Sequence, residues 1–149
     1  MKVLLQRVSH ASVSIEGERK AQIGQGLVAF VGIAKGDGEA DARYLAGKTA
    51  NLRLFPDGEG KLNLSVLDIK GEVLIVSQFT LLADARKGRR PSFTEAAQPA
   101  QAEKLFEQFV EQVRATGLKV ETGRFQQYMQ VEIHNDGPVT VLLDSRDKF

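Results

Sequence analysis

Apolar runs of strand length crowd both ends of this chain, and one strongly amphipathic helix is set among them. That arrangement limits the fold more than any other feature. In "QPAQAEKLFEQFVEQVRATG", residues 98–117, the apolar positions Ala102, Leu105, Phe106, Phe109, Val110 and Val113 recur at spacings of three and four. Such spacing makes one broad apolar stripe on a helix. Pro99 suits the first helical position and Gly117 the stop. The aromatics on the stripe are core residues rather than a cofactor site, because they follow the helical period. A second helix is expected over "EADARYLAGKTANLRL", residues 39–54, with Asp37 as its candidate cap and Ala42, Leu45, Ala46, Thr49 and Leu52 on one face. Val- and Ile-rich runs read as strands: "KVLLQRVS" (2–9), "ASVSIEGE" (11–18) and "GLVAFVGIA" (26–34). "FPDGEGK" reads as a turn cluster, and "KLNLSVLD" and "GEVLIVSQFTLL" as a strand pair joined near Lys70–Gly71. "LKVETG", "YMQVEIHN" and "PVTVLLDS" supply three more strands after the long helix. No internal repeat, low-complexity tract or linker divides the chain. The expectation is an α+β fold in a single domain spanning 1–149. Its mostly antiparallel or mixed sheets form a barrel-like β layer, covered on one side by two principal helices.

The remaining composition removes several chemistries. There is no cysteine, hence no disulfide, thiolate nucleophile or Cys-based zinc site. No apolar run approaches the roughly 18 residues of a membrane span, and "MKVLLQRVSH" lacks the pattern of a signal peptide. The chain therefore reads as cytoplasmic, with no membrane partner. A formal net charge of +1 argues against a general polycation, and DNA is not an expected partner. Basic residues do cluster in "ARKGRRPSF", where Arg86, Lys87, Arg89 and Arg90 could meet phosphates or simply line a solvated loop.

Side-chain catalysis is poorly advertised. His10 and His134 are the only histidines, too few for a three-histidine zinc site, and no HExxH is present. No metal or cofactor is expected. Ser77 or Thr80 could recruit His134 into a triad, but no GxSxG elbow supports this, and His134 reads better as a packing or surface residue. "GIAKGDG" lacks the Walker spacing. The backbone says more. "SQFTLL" closes the strongly apolar strand "EVLIV", where Ser77, Gln78 and Thr80 offer polar groups and main-chain N–H donors for an oxyanion. "VEIHNDGPVTVLL" looks like a β-hairpin around Asn135-Asp136-Gly137-Pro138, yet a proline stands where the second strand should start donating hydrogen bonds. A Gly–Pro bond makes a cis peptide affordable, and glycine leaves room for a close approach.

Together, "SQFTL" at 77–81 and "NDGPVT" at 135–140 resemble the two signature motifs of the D-aminoacyl-tRNA deacylase family, in its main bacterial-type branch. The likeness extends to "MKVLLQRVSHASV", "GLVAFVGI", "KGRRPSF" and the terminal "LLDS". "GRFQQYMQV" departs from many relatives in carrying Gln126 and Gln127. The resemblance implies a homodimer with active sites at the subunit interface. Gly137–Pro138, in cis, enters the partner's pocket, holds the substrate amino group through its carbonyls and excludes an L side chain. Ser77, Gln78, Phe79 and Thr80 form the facing wall, with Phe79 and Thr80 N–H groups supporting the oxyanion. The terminal 2′-hydroxyl of the tRNA helps to activate water. The resemblance further implies hydrolysis of D-aminoacyl esters, and of glycine mischarged on tRNA for alanine. Arg7 and Asn135 are expected to support the Gly–Pro loop, and Arg86, Lys87, Arg89 and Arg90 to touch the acceptor end. The rival readings are a non-catalytic tRNA-binding dimer and an esterase with Thr80 as nucleophile.

Overall fold

A computed structural model describes residues 1–147; residues 148 and 149 of the expected domain lie outside the described residues. Its elements are β1 (Lys2–Ile15), β2 (Glu18–Ile23), β3 (Gly26–Gly32), α1 (Glu39–Asn51), β4 (Phe55–Pro56), β5 (Leu62–Leu64) and β6 (Glu72–Ser77). A 3-10 turn at Phe79–Leu82 follows, then α2 (Pro99–Arg114), β7 (Lys119–Thr122) and β8 (Gln130–Asp144). The main sheet runs β2-β1-β3-β6-β7, with β8 on the other edge of β1. Pairing is antiparallel around β1 and parallel for β3–β6 and β6–β7. The single α+β domain is thus a nearly closed mixed-sheet barrel with two helices, as expected.

The parallel strands explain why "GLVAFVG" and "EVLIVS" read as unbroken apolar runs, since both of their faces are covered. Leu27, Ala29, Val31, Val73 and Ile75 face α1 and α2, where they meet Leu45, Ala46, Phe106 and Phe109. Val28, Leu74 and Val76 face the barrel interior with Val13, Ala21 and Ile23. Each parallel pair needs a long crossover. α1 lies in the connection from β3 to β6, and α2 in that from β6 to β7, which places both helices on one face.

Four expectations about the strands are corrected. "KVLLQRVS" and "ASVSIEGE" form one long strand, β1. A register shift between Val8 and His10 moves the side-chain alternation by one, so Ala11 and Val13 stay on Val8's side. β2, "ERKAQI", was not anticipated: its first three residues are exposed, and only Ala21 and Ile23 turn inward. "KLNLSVLD" does not pair with "EVLIV". Its short strand β5 joins β4, while β6 pairs in parallel with β3. Finally, "YMQVEIHN" and "PVTVLLDS" are not two hairpin strands but parts of one strand, β8, which pairs with β1 on both sides of residues 136–139.

Asp37 lies beyond the helix end, because Gly38 takes the N-cap and its N–H donates to Asp41 at 2.9 Å. The Asp37 carboxylate accepts instead from the Ala34 N–H at 2.6 Å and ion-pairs with the Met1 ammonium at 2.7 Å. Both partners of that pair are buried, and the ammonium also donates to Ser145 Oγ at 3.0 Å. Among the described residues no helix is long and apolar enough to cross a membrane.

Candidate functional site

The first motif sits where β6 runs out. Ser77 still pairs with Val31 of β3, and the Gln78 N–H donates to the Val31 carbonyl at 2.8 Å. The chain then tightens into the 3-10 turn, whose Leu81 N–H donates back to Gln78 at 3.2 Å. The N–H groups of Phe79 and Thr80 come before that first bonded donor, as at the start of any helical turn. Gln78 Nε2 donates to Thr80 Oγ1. Phe79 is 58% exposed and meets Phe93 edge to face at 5.1 Å between ring centroids.

A loop closed by Asp84 and Ser92, which exchange backbone hydrogen bonds at 2.8 and 2.9 Å, carries the basic cluster beside this turn. Its four cations are not equivalent. Arg86 grips Asp84 through two bonds, Nε to Oδ1 at 2.9 Å and NH2 to Oδ2 at 2.8 Å. Those charge-assisted bonds hold the Asp84 carboxyl below its usual range, at about 2, and raise Arg86. Arg86 therefore fastens the loop, whereas Lys87, Arg89 and Arg90 point their charge outward from exposed positions.

The second motif is an excursion from a paired strand. Gln6 pairs with Thr140 and Val8 with Asn135, so residues 136–139 stand opposite Arg7 alone. Four residues facing one must leave the ladder. The Gly137–Pro138 peptide is cis, and Gly137 has a φ of +130°. A Cβ on Gly137 would lie 3.0 Å from the Val139 nitrogen and 3.1 Å from the Arg7 guanidinium. Arg7 fills the gap in the ladder. Its Nε donates to the Asp136 carbonyl at 2.9 Å and its NH1 to the Leu54 carbonyl at 2.8 Å, and the Asp136 carboxylate lies 3.5 Å away. Asn135 forms the last ladder pair before the excursion.

The two motifs do not meet within one chain along the sheet. β3 and β1 stand between β6 and β8, a lateral step of about 14 Å at ordinary strand spacing. Ser77, Gln78, Phe79 and Thr80 are gathered at one sheet end, while Arg7, Asn135, Gly137 and Pro138 share a strand pair elsewhere. His134 is not offered to Thr80: it stands opposite His10 in the β1–β8 ladder, the rings stacked at 3.6 Å. Among the described residues no three metal-ligating side chains converge. Sequence reasoning missed Leu54, which contributes only a carbonyl, and Phe93, whose only signal was its place in "KGRRPSF".

A family model described as D-Tyr-tRNA(Tyr) deacylase matches residues 4–144. A relative from Dehalococcoides mccartyi named D-aminoacyl-tRNA deacylase is 56% identical over 149 residues, covering 100% of this chain and 97% of its own. One of the same name from Fervidobacterium nodosum is 54% identical, with 100% of both chains covered. The solved structure of "c-Myc DNA Unwinding Element Binding Protein" superposes with a TM-score of 0.91 at 42% identity, over 97% of this chain and 98% of that one. A structure described as "a probable eukaryotic D-amino acid tRNA deacylase" shares the fold at a TM-score of 0.82 and 18% identity, over 95% and 97% of the two chains.

Proposed function

The chain belongs to the D-Tyr-tRNA(Tyr) deacylase family, whose ester-hydrolysing activity is the premise from which we propose a site assembled between two copies of this chain. The observation that carries the proposal is the Gly137–Pro138 excursion: a rigidly held piece of backbone, pinned by Arg7, with no wall of its own chain to work against along the sheet. In a twofold dimer each excursion enters the other copy's pocket and faces Ser77, Gln78, Phe79 and Thr80 there.

In that pocket the Gly137 and Pro138 carbonyls accept from the substrate's α-amino group. They occupy the space an L side chain would need. A D side chain points the other way, and glycine has none, so glycine mischarged on tRNA for alanine is also cleaved. Discrimination by overlap protects the abundant L-aminoacyl-tRNA better than a small preference for the D substrate could. The Phe79 and Thr80 N–H groups steady the oxyanion, and the 2′-hydroxyl of the terminal adenosine helps to activate the attacking water. Thr80 Oγ1 already accepts from Gln78 Nε2 and has no histidine beside it, which supports a main-chain role over a nucleophilic one. Lys87, Arg89 and Arg90 meet acceptor-stem phosphates, while Arg86 shapes their loop. The protein proofreads aminoacyl-tRNA in the cytoplasm. A DNA-binding role, which one structural neighbour's name raises, finds little support in a chain of net charge +1.

Subunit mixing tests the shared site. Gly137→Ala spoils the wedge, and Phe79→Pro removes one oxyanion donor at a helical first position that tolerates proline. Each homodimer should be nearly inactive. Refolded together in equal amounts, they should recover about a quarter of wild-type deacylation, because half the dimers are hybrids with one intact site. No recovery, with hybrid dimers present by mass spectrometry, would place the whole site in one chain. Binding of D-Tyr-tRNA without turnover by the wild type would favour a non-catalytic tRNA-binding dimer.

A further inference from the structure

We infer that Phe55, with the Leu54 carbonyl beside it, is the positioning element that sets the Gly137–Pro138 carbonyls by fixing Arg7, an inference that rests on the proposed wedge. Four features carry it. The Arg7 side chain is only 11% exposed although it ends at the excursion. Its guanidinium reaches two main-chain carbonyls at once, Asp136 at 2.9 Å and Leu54 at 2.8 Å. Its central carbon lies 5.9 Å from the centroid of the Phe55 ring, so consecutive residues hold it by a carbonyl and by a π face. Phe55 is itself 1% exposed and takes part in the core shared with Leu45 and Phe109, while its backbone pairs with Leu64.

The mechanical consequence follows from these contacts. α1 ends at Asn51, and the next turns of chain bring Leu54 and Phe55 under β1. Their position is set by the core, and Arg7 transmits that position to Asp136 and Gly137. A planar guanidinium can bridge two carbonyls in fixed relative placement, which a lysine ammonium on a flexible stem cannot. Removing the ring leaves Arg7 one anchor and a freed rotamer, and the excursion gains play relative to the partner's pocket. A wedge that discriminates by overlap loses selectivity before it loses turnover.

The experiment compares Phe55→Met and Phe55→Leu with Val13→Ala, a control equally buried but in the other core cluster, apart from Phe55. The first readout is the ratio of kcat/KM for D-Tyr-tRNA to that for L-Tyr-tRNA. The second is the Arg7 Nε–H proton resonance, which its bond to Asp136 should protect from exchange. Either Phe55 variant that folds should lower the D:L ratio by about tenfold, with rising L-ester cleavage, and should lose the protected resonance. Val13→Ala should keep both at wild-type values despite a similar loss of stability. An unchanged ratio and resonance at Phe55, or equal losses in the control, would overturn the inference. Failure of the wild type to cleave the D ester would defeat the proposed function instead, and the resonance would still report whether Phe55 holds Arg7.

Discussion

Gly137→Ala should lower kcat/KM for D-Tyr-tRNA by about 100-fold while leaving the fold intact, because a displacement near 1 Å at a positioning group costs that much. The added methyl has no room. It would stand 3.0 Å from the Val139 nitrogen and 3.1 Å from both the Arg7 guanidinium and a Val139 methyl. The backbone cannot turn away from the clash without a further cost, since a φ of +130° is open to glycine and strained for any residue with a Cβ. The nearest atom is backbone, the Val139 nitrogen, so the excursion itself is displaced and the two carbonyls leave the places from which they accept the substrate's amino group. Gly137 and Pro138 are exposed, so circular dichroism and thermal unfolding should change little. Undiminished turnover by the folded variant would show that the excursion does not set the reaction geometry.

The second large effect concerns stability rather than turnover. Asp37→Ala should cost about 3–5 kcal/mol, because it leaves the buried Met1 ammonium without its counter-charge. The same substitution removes the acceptor for the Ala34 N–H, a bond of 2.6 Å at the exit from β3. Ser145 Oγ, 3.0 Å from the ammonium, cannot replace a negative charge. Asp37→Asn keeps an acceptor oxygen and should lose less. Urea unfolding of the wild type and both variants gives the comparison directly. A loss below about 1 kcal/mol for the alanine variant would mean that water reaches the ammonium in solution.

The α2 helix was legible because its apolar stripe, its proline and its terminal glycine agree with one another. β3 and β6 were legible as strands, but their neighbours were not, since an apolar run says that both faces are covered without saying by what. The misread hairpin is instructive. Alternating residues on either side of Asn135-Asp136-Gly137-Pro138 describe a hairpin and an interrupted single strand equally well. Only the long-range pairing of both halves with β1 separates the two, and no local window contains it. The corrected topology matters for function. A hairpin turn would place Gly137 at a free tip, whereas an excursion from one continuous strand is gripped on both sides and from below by Arg7.

The site was partly legible for the same reasons. Gly137 and Pro138 announce themselves by residue type, and Thr80 by its place at a strand end. Arg86 looked like one of four equivalent cations until the structure gave it to Asp84. Leu54 acts through a carbonyl, which every residue has and no sequence marks. Phe55 looked like part of a turn because the glycines and the aspartate after it dominate that stretch.

The measurement that bears most directly on the central claim is single-turnover deacylation of D-Tyr-tRNA and L-Tyr-tRNA by the purified protein, run side by side. Rapid loss of the D ester with the L ester left intact is the predicted result, since only the L side chain meets the Gly137–Pro138 backbone. Cleavage of both esters at similar rates would contradict a wedge that works by exclusion.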